Sequence, residues 1–301
     1  MTVTAFSSFN EVRAHAAAFC AARCWEKFHL PVSLVMALSG ECGELNEIFQ
    51  WKFEGSGQTL TEKELVNVGE EISDVFIYST RLAEICHIDL AASVRQVMGS
   101  LDAERYDFKV FDYLCIPPNA WSALTFDEVA EVASRYSAPA AVVKTRAPAA
   151  AHLPALKSRH LLSREDLCSL GSSPRKLCLG INHFAGRASA LFALQSESNC
   201  QVGLSHWSRN DVSELALSLA SICILLSLLA KSFSYELGAI VLRKFEKNAA
   251  KYPVDLVKGS SKKYTEYASQ RGLAAIAQHS ASTVLLVVVA FVLGAAFRTR
   301  F

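Results

Sequence analysis

Residues 70–85, EEISDVFIYSTRLAEI, decide how this chain folds, because they predict a helix that is apolar over most of its surface yet carries acids. Glu71 and Asp74 lie three residues apart in it, and Glu41 and Glu44 repeat that spacing in GECGELNEIFQW, residues 40–51. Such spacing puts both acids of a pair on one helical face. A solvated face is the plain alternative, but two facing helices could aim all four carboxylates at one point.

Four carboxylates in a partly buried site repel one another unless a cation lies between them. An all-oxygen set of ligands suits Mg²⁺, which usually keeps room for substrate phosphates. The residues therefore indicate metal-assisted chemistry on a phosphorylated substrate.

Helical apolar spacing dominates the chain, and almost nothing alternates as a strand does. The fold class is therefore predicted to be all-α. Pro117 and Pro118 stop any helix near them, and residues 137–175 are rich in Ala, Pro and Ser, which is typical of a linker. The predicted helices are 8–24, 30–52, 62–87, 89–106, 124–136, 177–196, 209–233 and 235–251.

Composition narrows the classes of function. The 301 residues are 51% hydrophobic, which supports buried cores, and the net charge of +1 without a sustained basic stripe gives no reason to expect nucleic-acid binding. Nine cysteines without CxxC spacing favour reduced thiols in the cytosol over a disulfide framework.

Two segments carry a resemblance to a known family. Residues 23–52 (RCWEKFHLPVSLVMALSGECGELNEIFQWK) and 70–90 (EEISDVFIYSTRLAEICHIDL) resemble the dCTP pyrophosphatases of the MazG-like all-α nucleotide pyrophosphohydrolase superfamily. The resemblance implies a four-helix bundle that uses Mg²⁺ to cleave a nucleoside triphosphate into a monophosphate and pyrophosphate. It implies Glu41, Glu44, Glu71 and Asp74 as metal ligands, and a nucleoside pocket shaped by Trp25, Phe28, His29, Trp51 and Tyr78.

The later helices are interpreted as a diverged second copy. An offset of 147 residues places Glu71 on Ser218 and Asp74 on Ser221, and the match around residues 45–49 leaves Phe184 and Arg187 in place of the other acids. The second copy has thus lost the metal-binding acids.

The second copy instead keeps the family's terminal motif in RKFEKNAAKYP, residues 243–253. Lys244, Asn248 and Lys251 share one helical face that can grip phosphate oxygens, and Tyr252 follows them. A solvated face beside a membrane is the alternative. Because paired units of the family share residues at each site, the two copies are expected to form a pseudo-dimer with one composite site; a homodimer is the other arrangement.

In that composite site the resemblance implies catalytic roles for Glu41, Glu44, Lys244 and Lys251. The lysines would support the leaving pyrophosphate, and Glu44 or Glu41 would position the attacking water. Substrate binding would fall to Lys244, Asn248, Tyr252 and the nucleoside pocket.

The carboxyl end predicts a membrane anchor. Residues 281–297, ASTVLLVVVAFVLGAAF, carry no charge and precede Arg298 and Arg300. They also follow a polar, basic stretch, KGSSKKYTEYASQRG, so a transmembrane helix over 281–298 is favoured over a core helix. The catalytic portion would then face the cytosol. The predicted units are 1–110 (first copy), 111–176 (largely irregular insertion), 177–256 (second copy), 257–280 (polar basic spacer) and 281–298 (anchor).

Two rival functions remain open. The same scaffold could act on dUTP or a modified nucleotide, since the sequence does not fix the base. A catalytically silent, membrane-anchored protein that binds nucleotides or scaffolds partners is the other. Four intact acids argue against silence, because they are destabilising without a metal.

Overall fold

The computed structural model describes residues 5–52, 59–101, 124–137, 162–171, 173–260 and 262. Within these residues the chain is helical and has no β-strand, so the predicted all-α class is confirmed there. The helices, α1 to α10, are Phe9–Ala22, Pro31–Phe49, Glu62–Ile85, Leu90–Leu101, Phe126–Ser137, Arg164–Leu170, Pro174–Ala193, Arg209–Ser232, Leu237–Lys251 and Val254–Val257.

Local sequence explains where the main helices begin. Thr61 and Glu64 form a capping box at the start of α3, each side chain bonding the other's backbone N–H. Ser208 caps α8 with its side chain. Pro31 and Pro174 open α2 and α7, where the missing N–H of proline costs no helical hydrogen bond.

Helices α3 and α8 match in length and in the way they end. Each has 24 residues, and their first and last residues obey the same offset of 147. Each is followed by a left-handed residue, His87 with φ 57° and Ser234 with φ 58°. The next N–H groups, of Ile88 and Tyr235, donate back into the last turn of their own helix at 2.8 and 2.9 Å.

The helices of the first half, α1 to α4, and those of the second half, α7 to α9, pack in corresponding pairs. Helix α2 packs on α3 as α7 packs on α8, and α2 meets α7 while α3 meets α8. The later helix of each half crosses to the other half, so that α9 packs on α3 and α4 packs on α8. The two halves consequently share a single apolar core.

Helices α1 and α5 also correspond. Helix α1 begins FNEV and α5 begins FDEV, and they pack on α3 and α8 respectively. Their starts lie side by side: Phe9 N–H donates to Leu124 O at 3.3 Å, and Phe126 N–H donates to Ser7 O at 3.1 Å. The rings of Phe9 and Phe126 are 5.2 Å apart.

Two helices lie within residues 111–176, the predicted insertion. The predicted short helix at 124–136 is present as α5, but the linker prediction for 137–175 missed α6. Helix α6 begins with a capping box between Ser163 and Asp166, and Leu162 and Leu167 are buried. Helix α6 packs on α5 and α7, so at least part of this segment belongs to the core.

Among the described helices, only α8 is long and apolar enough to cross a membrane by length and composition. In the fold, 78% of its most apolar window is buried. A helix in a protein core can have the same length and composition as a membrane helix, and α8 is buried as a core helix is. The predicted anchor at 281–298, and nearly all of the spacer at 257–280, lie outside the described residues.

Candidate active site

A cavity of about 330 Å³ lies between α1, α2 and α3 of the first half and α9 of the second. Most of the residues predicted for the site line it, although they are far apart in sequence. They are Trp25, His29, Glu41, Glu44, Glu71, Asp74, Tyr78, Lys244, Asn248, Lys251 and Tyr252. The structure therefore brings acids from one half and cations from the other to one cavity.

Three acids form a cluster at one end of the cavity. Glu41, Glu44 and Glu71 each offer a carboxylate oxygen within 4.8 Å of the others. The Oε2 atom of Glu71 is buried without a hydrogen-bond partner among the described residues. A buried carboxylate oxygen without a donor is costly, so the cluster is suited to a cation.

The surroundings raise the pKa of two of these acids. Burial, and then the charges of Asp74, Glu44 and Glu71, raise the pKa of Glu41 from 4.5 to about 8. Burial and the charge of Asp74 raise the pKa of Glu71 to about 7, against the attraction of Lys244. Both acids therefore carry less than a full negative charge near neutral pH when no metal is bound.

Asp74 lines the same cavity but is paired with a lysine. It was expected to be the fourth metal ligand, but its carboxylate is ion-paired with Lys244 Nζ and does not belong to the cluster of three. Lys244 is only 9% exposed, so it needs a counter-ion, and Asp74 is the nearest one. A cation from the second half therefore holds the fourth acid.

Sequence reasoning missed two residues of the cavity, Glu70 on α3 and Lys247 on α9. Glu70 lies 3.8 Å from Lys244 Nζ and is ion-paired with Lys247. Both Glu70 and Lys247 line the cavity. The signal was available, because Lys247 shares the helical face of Lys244 at i+3 and Glu70 directly precedes Glu71.

Aromatic rings form the other end of the cavity. The ring of Trp25 lies 5.5 Å from that of Tyr252 in an edge-to-face contact, and its Nε1–H donates to Ser260 O at 2.9 Å. Burial, together with the charges of Glu41 and Asp74, raises the pKa of Tyr78 well above its usual value, so this phenol stays protonated. These groups offer a stacking surface next to the charged end.

Two residues predicted for the nucleoside pocket lie elsewhere in the structure. Trp51 is 76% exposed, and neither it nor Phe28 lines the cavity. Trp51 follows the end of α2 by two residues, so the helix that places Glu41 and Glu44 ends before it can direct this ring inward. The structure does not bring Phe28 and Trp51 to the site.

The positions of the second half that correspond to the four acids are filled by buried or ion-paired side chains. Phe184 is buried, Arg187 is ion-paired with Glu214, and Ser221 is fully buried with its hydroxyl donating to Leu217 O at 2.8 Å. Ser218 is buried as well. In the described part of the chain, no second group of acids gathers at these positions.

The cluster fits a hard divalent cation. Its donors are carboxylate oxygens alone, and one of them is buried with no hydrogen-bond partner in the part of the chain that the structure describes. Mg²⁺ prefers such ligands and is usually held by a few carboxylates together with substrate phosphates. The neighbouring lysines and Asn248 could donate to phosphate oxygens, so the cavity can hold a metal with an anionic phosphate ligand.

Comparison with known proteins agrees with this chemistry for part of the chain. It is 43% identical over 105 residues to dCTP pyrophosphatase 1 of Rattus norvegicus, covering 34% of this chain and 60% of that protein. It is 42% identical over 101 residues to dCTP pyrophosphatase 1 of Homo sapiens, covering 33% and 59%. The chain thus spans about 60% of the length of these curated relatives. No family model and no solved structure matches.

Proposed function

We propose that this chain is a Mg²⁺-dependent nucleoside triphosphate pyrophosphohydrolase, with dCTP as substrate and dCMP and diphosphate as products. The observation that carries the proposal is the single cavity in which Glu41, Glu44 and Glu71 face Lys244 and Lys251. The names of the relatives support the choice of reaction and of base.

The acids of α2 and α3 would hold the metal. Glu41, Glu44 and Glu71 are gathered for it, and Asp74 becomes available as a further ligand once Lys244 turns to a phosphate. When bound, Mg²⁺ supplies positive charge that offsets the charge developing on the phosphates. Glu44 or Glu41 positions the attacking water from the acid face.

The cations of α9 would hold the triphosphate. Lys244, Asn248 and Lys251 line the cavity from one helical face, so their donors reach neighbouring oxygens of one chain of phosphates. Lys244 and Lys251 stabilise the charge on the leaving diphosphate. Trp25, with the ring of Tyr252 beside it, offers the base a surface for stacking.

The chain is a tandem duplication that builds one composite site. The offset of 147 residues between α3 and α8 and the crossed packing of α4 and α9 support it. The FNEV and FDEV starts of α1 and α5 extend the second copy towards the amino end, to about residue 124. The first copy keeps the acids and the second keeps the phosphate donors.

A membrane anchor over residues 281–298 belongs to the same proposal. The run carries no charge up to Phe297, and the polar, basic stretch that precedes it, residues 258–272, would lie at the cytosolic edge of the membrane helix. It would hold the catalytic portion at a membrane surface in the cytosol.

Two other functions are distinguished by experiment. Hydrolysis of dUTP or of a modified nucleotide uses the same phosphate chemistry with a different base. A catalytically silent nucleotide-binding or scaffold protein would bind nucleotides without releasing diphosphate. In that case the cavity lined by Lys244 and the acids would serve binding alone.

The test is a diphosphate-release assay on the full chain in detergent, with Mg²⁺ and a panel of canonical and modified nucleoside triphosphates. We expect dCTP to give the highest kcat/KM. Excess chelator and Glu71→Gln are the matched controls, and both should abolish release. Release that survives both controls, or no release from any nucleotide, would overturn the proposal.

A further inference from the structure

Arg81 places a buried guanidinium at the aromatic end of the cavity. It is 5% exposed, lines the cavity and lies two helical turns beyond Asp74 on α3, with Tyr78 between them. Seven residues of helix span about 10 Å. A nucleoside whose phosphates lie beside Asp74 can therefore bring its base to Arg81.

Two contacts fix this guanidinium. Its Nη1–H donates to Glu84 Oε2 at 2.6 Å, and Glu84 Oε1 also lies 3.7 Å from Arg13 Nη1. Its Nε–H donates to His29 Nδ1 at 3.2 Å. Because a guanidinium has donors and no acceptor, Nδ1 of His29 must accept, and the hydrogen of the neutral imidazole lies on Nε2.

The charge state of His29 agrees with that assignment. Burial, and then the positive charge of Arg81, lower the pKa of His29 from 6.5 to about 4, so the ring is neutral near pH 7. Cys20 Sγ lies 3.4 Å from the same Nδ1 atom, and burial raises the pKa of Cys20 to about 11. The thiol is therefore protonated and does not reverse the tautomer.

Two donors are left over. Among the described residues, His29 Nε2 and Arg81 Nη2 have no hydrogen-bond partner, and both residues line the cavity. Neither atom can accept a hydrogen bond in this state. The ring of Trp25 lies 6.4 Å from that of His29, so a base stacked on Trp25 would have its polar edge close to these donors.

We propose that Arg81 and His29 form a donor-only edge that selects a base with two adjacent acceptors, as cytosine has in O2 and N3. This inference rests on the proposed function and names what sets its base preference. Uracil and thymine carry a hydrogen on N3, which would meet a donor and leave a buried group unpaired. Arg81 acts twice, by fixing the tautomer of His29 and by adding an N–H of its own.

Arg81→Leu tests the edge through selectivity. The kcat/KM for dCTP and dUTP is measured for the wild type, for this variant and for Arg243→Leu, an exposed residue outside the cavity. We expect the preference for dCTP to fall roughly tenfold or more in Arg81→Leu, mainly through KM, and to be unchanged in Arg243→Leu. An unchanged preference in Arg81→Leu would overturn the proposal.

Two further measurements guard against a variant that does not fold. Arg81→Lys keeps a charge opposite Glu84 but lacks the planar fork that reaches Glu84, His29 and a base at the same time, so it should lose the same preference. NMR of ¹⁵N-labelled wild type reports the tautomer of His29 directly. The expected signal is a hydrogen on Nε2, and a hydrogen on Nδ1 would reject the edge without any variant.

Binding separates this inference from the proposed reaction. Titration calorimetry with dCMP and dUMP needs no hydrolysis, and the wild type should bind dCMP more tightly. If the chain shows that preference but releases no diphosphate, the proposed function is wrong and the proposal of a donor-only edge stands. If the chain hydrolyses dCTP and dUTP equally well, the proposed hydrolysis stands and the proposal of a donor-only edge is wrong.

Discussion

The carboxylate of Asp74 on α3 is ion-paired with Lys244 on α9, and this contact joins the acid-bearing half of the chain to the cation-bearing half. Burial raises the pKa of Asp74 although Lys244 attracts its charge, so the buried lysine only partly offsets the cost of that acid. For Lys244, burial alone would lower the pKa, but the carboxylates of Asp74, Glu71 and Glu70 together outweigh it and the pKa is raised. Lys244 is the counter-ion of the acid end of the cavity.

Lys244→Met should therefore have opposite effects on metal binding and on catalysis. Without the lysine the acids repel more strongly, so the metal-free protein should lose about 3–5 kcal/mol of stability. Mg²⁺ should then bind more tightly and stabilise the variant more than the wild type, by mass action. Diphosphate release should fall roughly a hundredfold or more, because the leaving group loses a donor.

The measurements are thermal unfolding with and without MgCl₂, Mg²⁺ titration, and the diphosphate assay. Lys247→Met is the stability control, since Lys247 lies on the same helix with a side chain 57% exposed. An equal Mg²⁺ shift in wild type and Lys244→Met would refute the counter-ion role.

The metal-free protein should lose stability as pH rises from about 4.5 to about 8. The pKa of Glu41 is raised to about 8 and that of Glu71 to about 7, from 4.5. The folded state therefore binds more protons than the unfolded state in this window. The stability that the protonated side chains of Glu41 and Glu71 give the folded state is complete below pH 4.5. It is lost as pH rises through their folded-state pKa values of about 7 and about 8.

Urea unfolding in chelator at pH 5 and pH 8 measures this slope. The double variant Glu41→Gln, Glu71→Gln should flatten it, because neither amide titrates. Saturating Mg²⁺ should flatten it in the wild type. A wild type that is as stable at pH 8 as at pH 5 in chelator would show that these acids do not control the slope.

Mixing variants tests whether one chain completes one site. Glu44→Gln and Lys244→Ala should each be inactive, the first by loss of a metal ligand and the second by loss of a phosphate donor. Co-refolding them should restore nothing if both halves of a site come from one chain. Recovery towards about a quarter of maximal activity would instead place the halves on different chains of a dimer.

The two tryptophans should differ in their effect on substrate binding. Trp25 lines the cavity and Trp51 is exposed on the surface. Trp25→Ala should raise KM for dCTP roughly tenfold or more through lost stacking, whereas Trp51→Ala should change it less than twofold. An equal rise in both variants would mean that Trp51 reaches a nucleotide, in this chain or in a neighbouring one.

Deleting residues 281–301 tests the anchor. The shortened chain should move from the membrane to the soluble fraction on cell fractionation and keep its kcat, because no proposed site residue lies beyond Tyr252. Unchanged membrane association would place the anchor elsewhere. Loss of the folded state, followed by circular dichroism, would assign the run to the core.

The helices could be predicted because their signals are local. The apolar spacing of residues 70–85 predicts α3 from sequence, and the spacing of Glu71 and Asp74 places both on one face. Helix α6 was missed because it has only seven residues within a segment rich in Ala, Pro and Ser. Its stability comes from burying Leu167 between other helices, which no local pattern reports.

The sequence by itself determined the all-α class, the positions of the long helices and which residues could hold a metal or a phosphate, because these follow from helical periodicity and side-chain chemistry. Tertiary structure alone decided that Lys244 holds Asp74, that Arg81 fixes His29, and that Trp51 remains outside the cavity. These contacts join residues tens to hundreds of positions apart or depend on where a helix ends. Whether they form depends on the burial and the neighbouring charges of each side chain, which exist only once the two halves have packed.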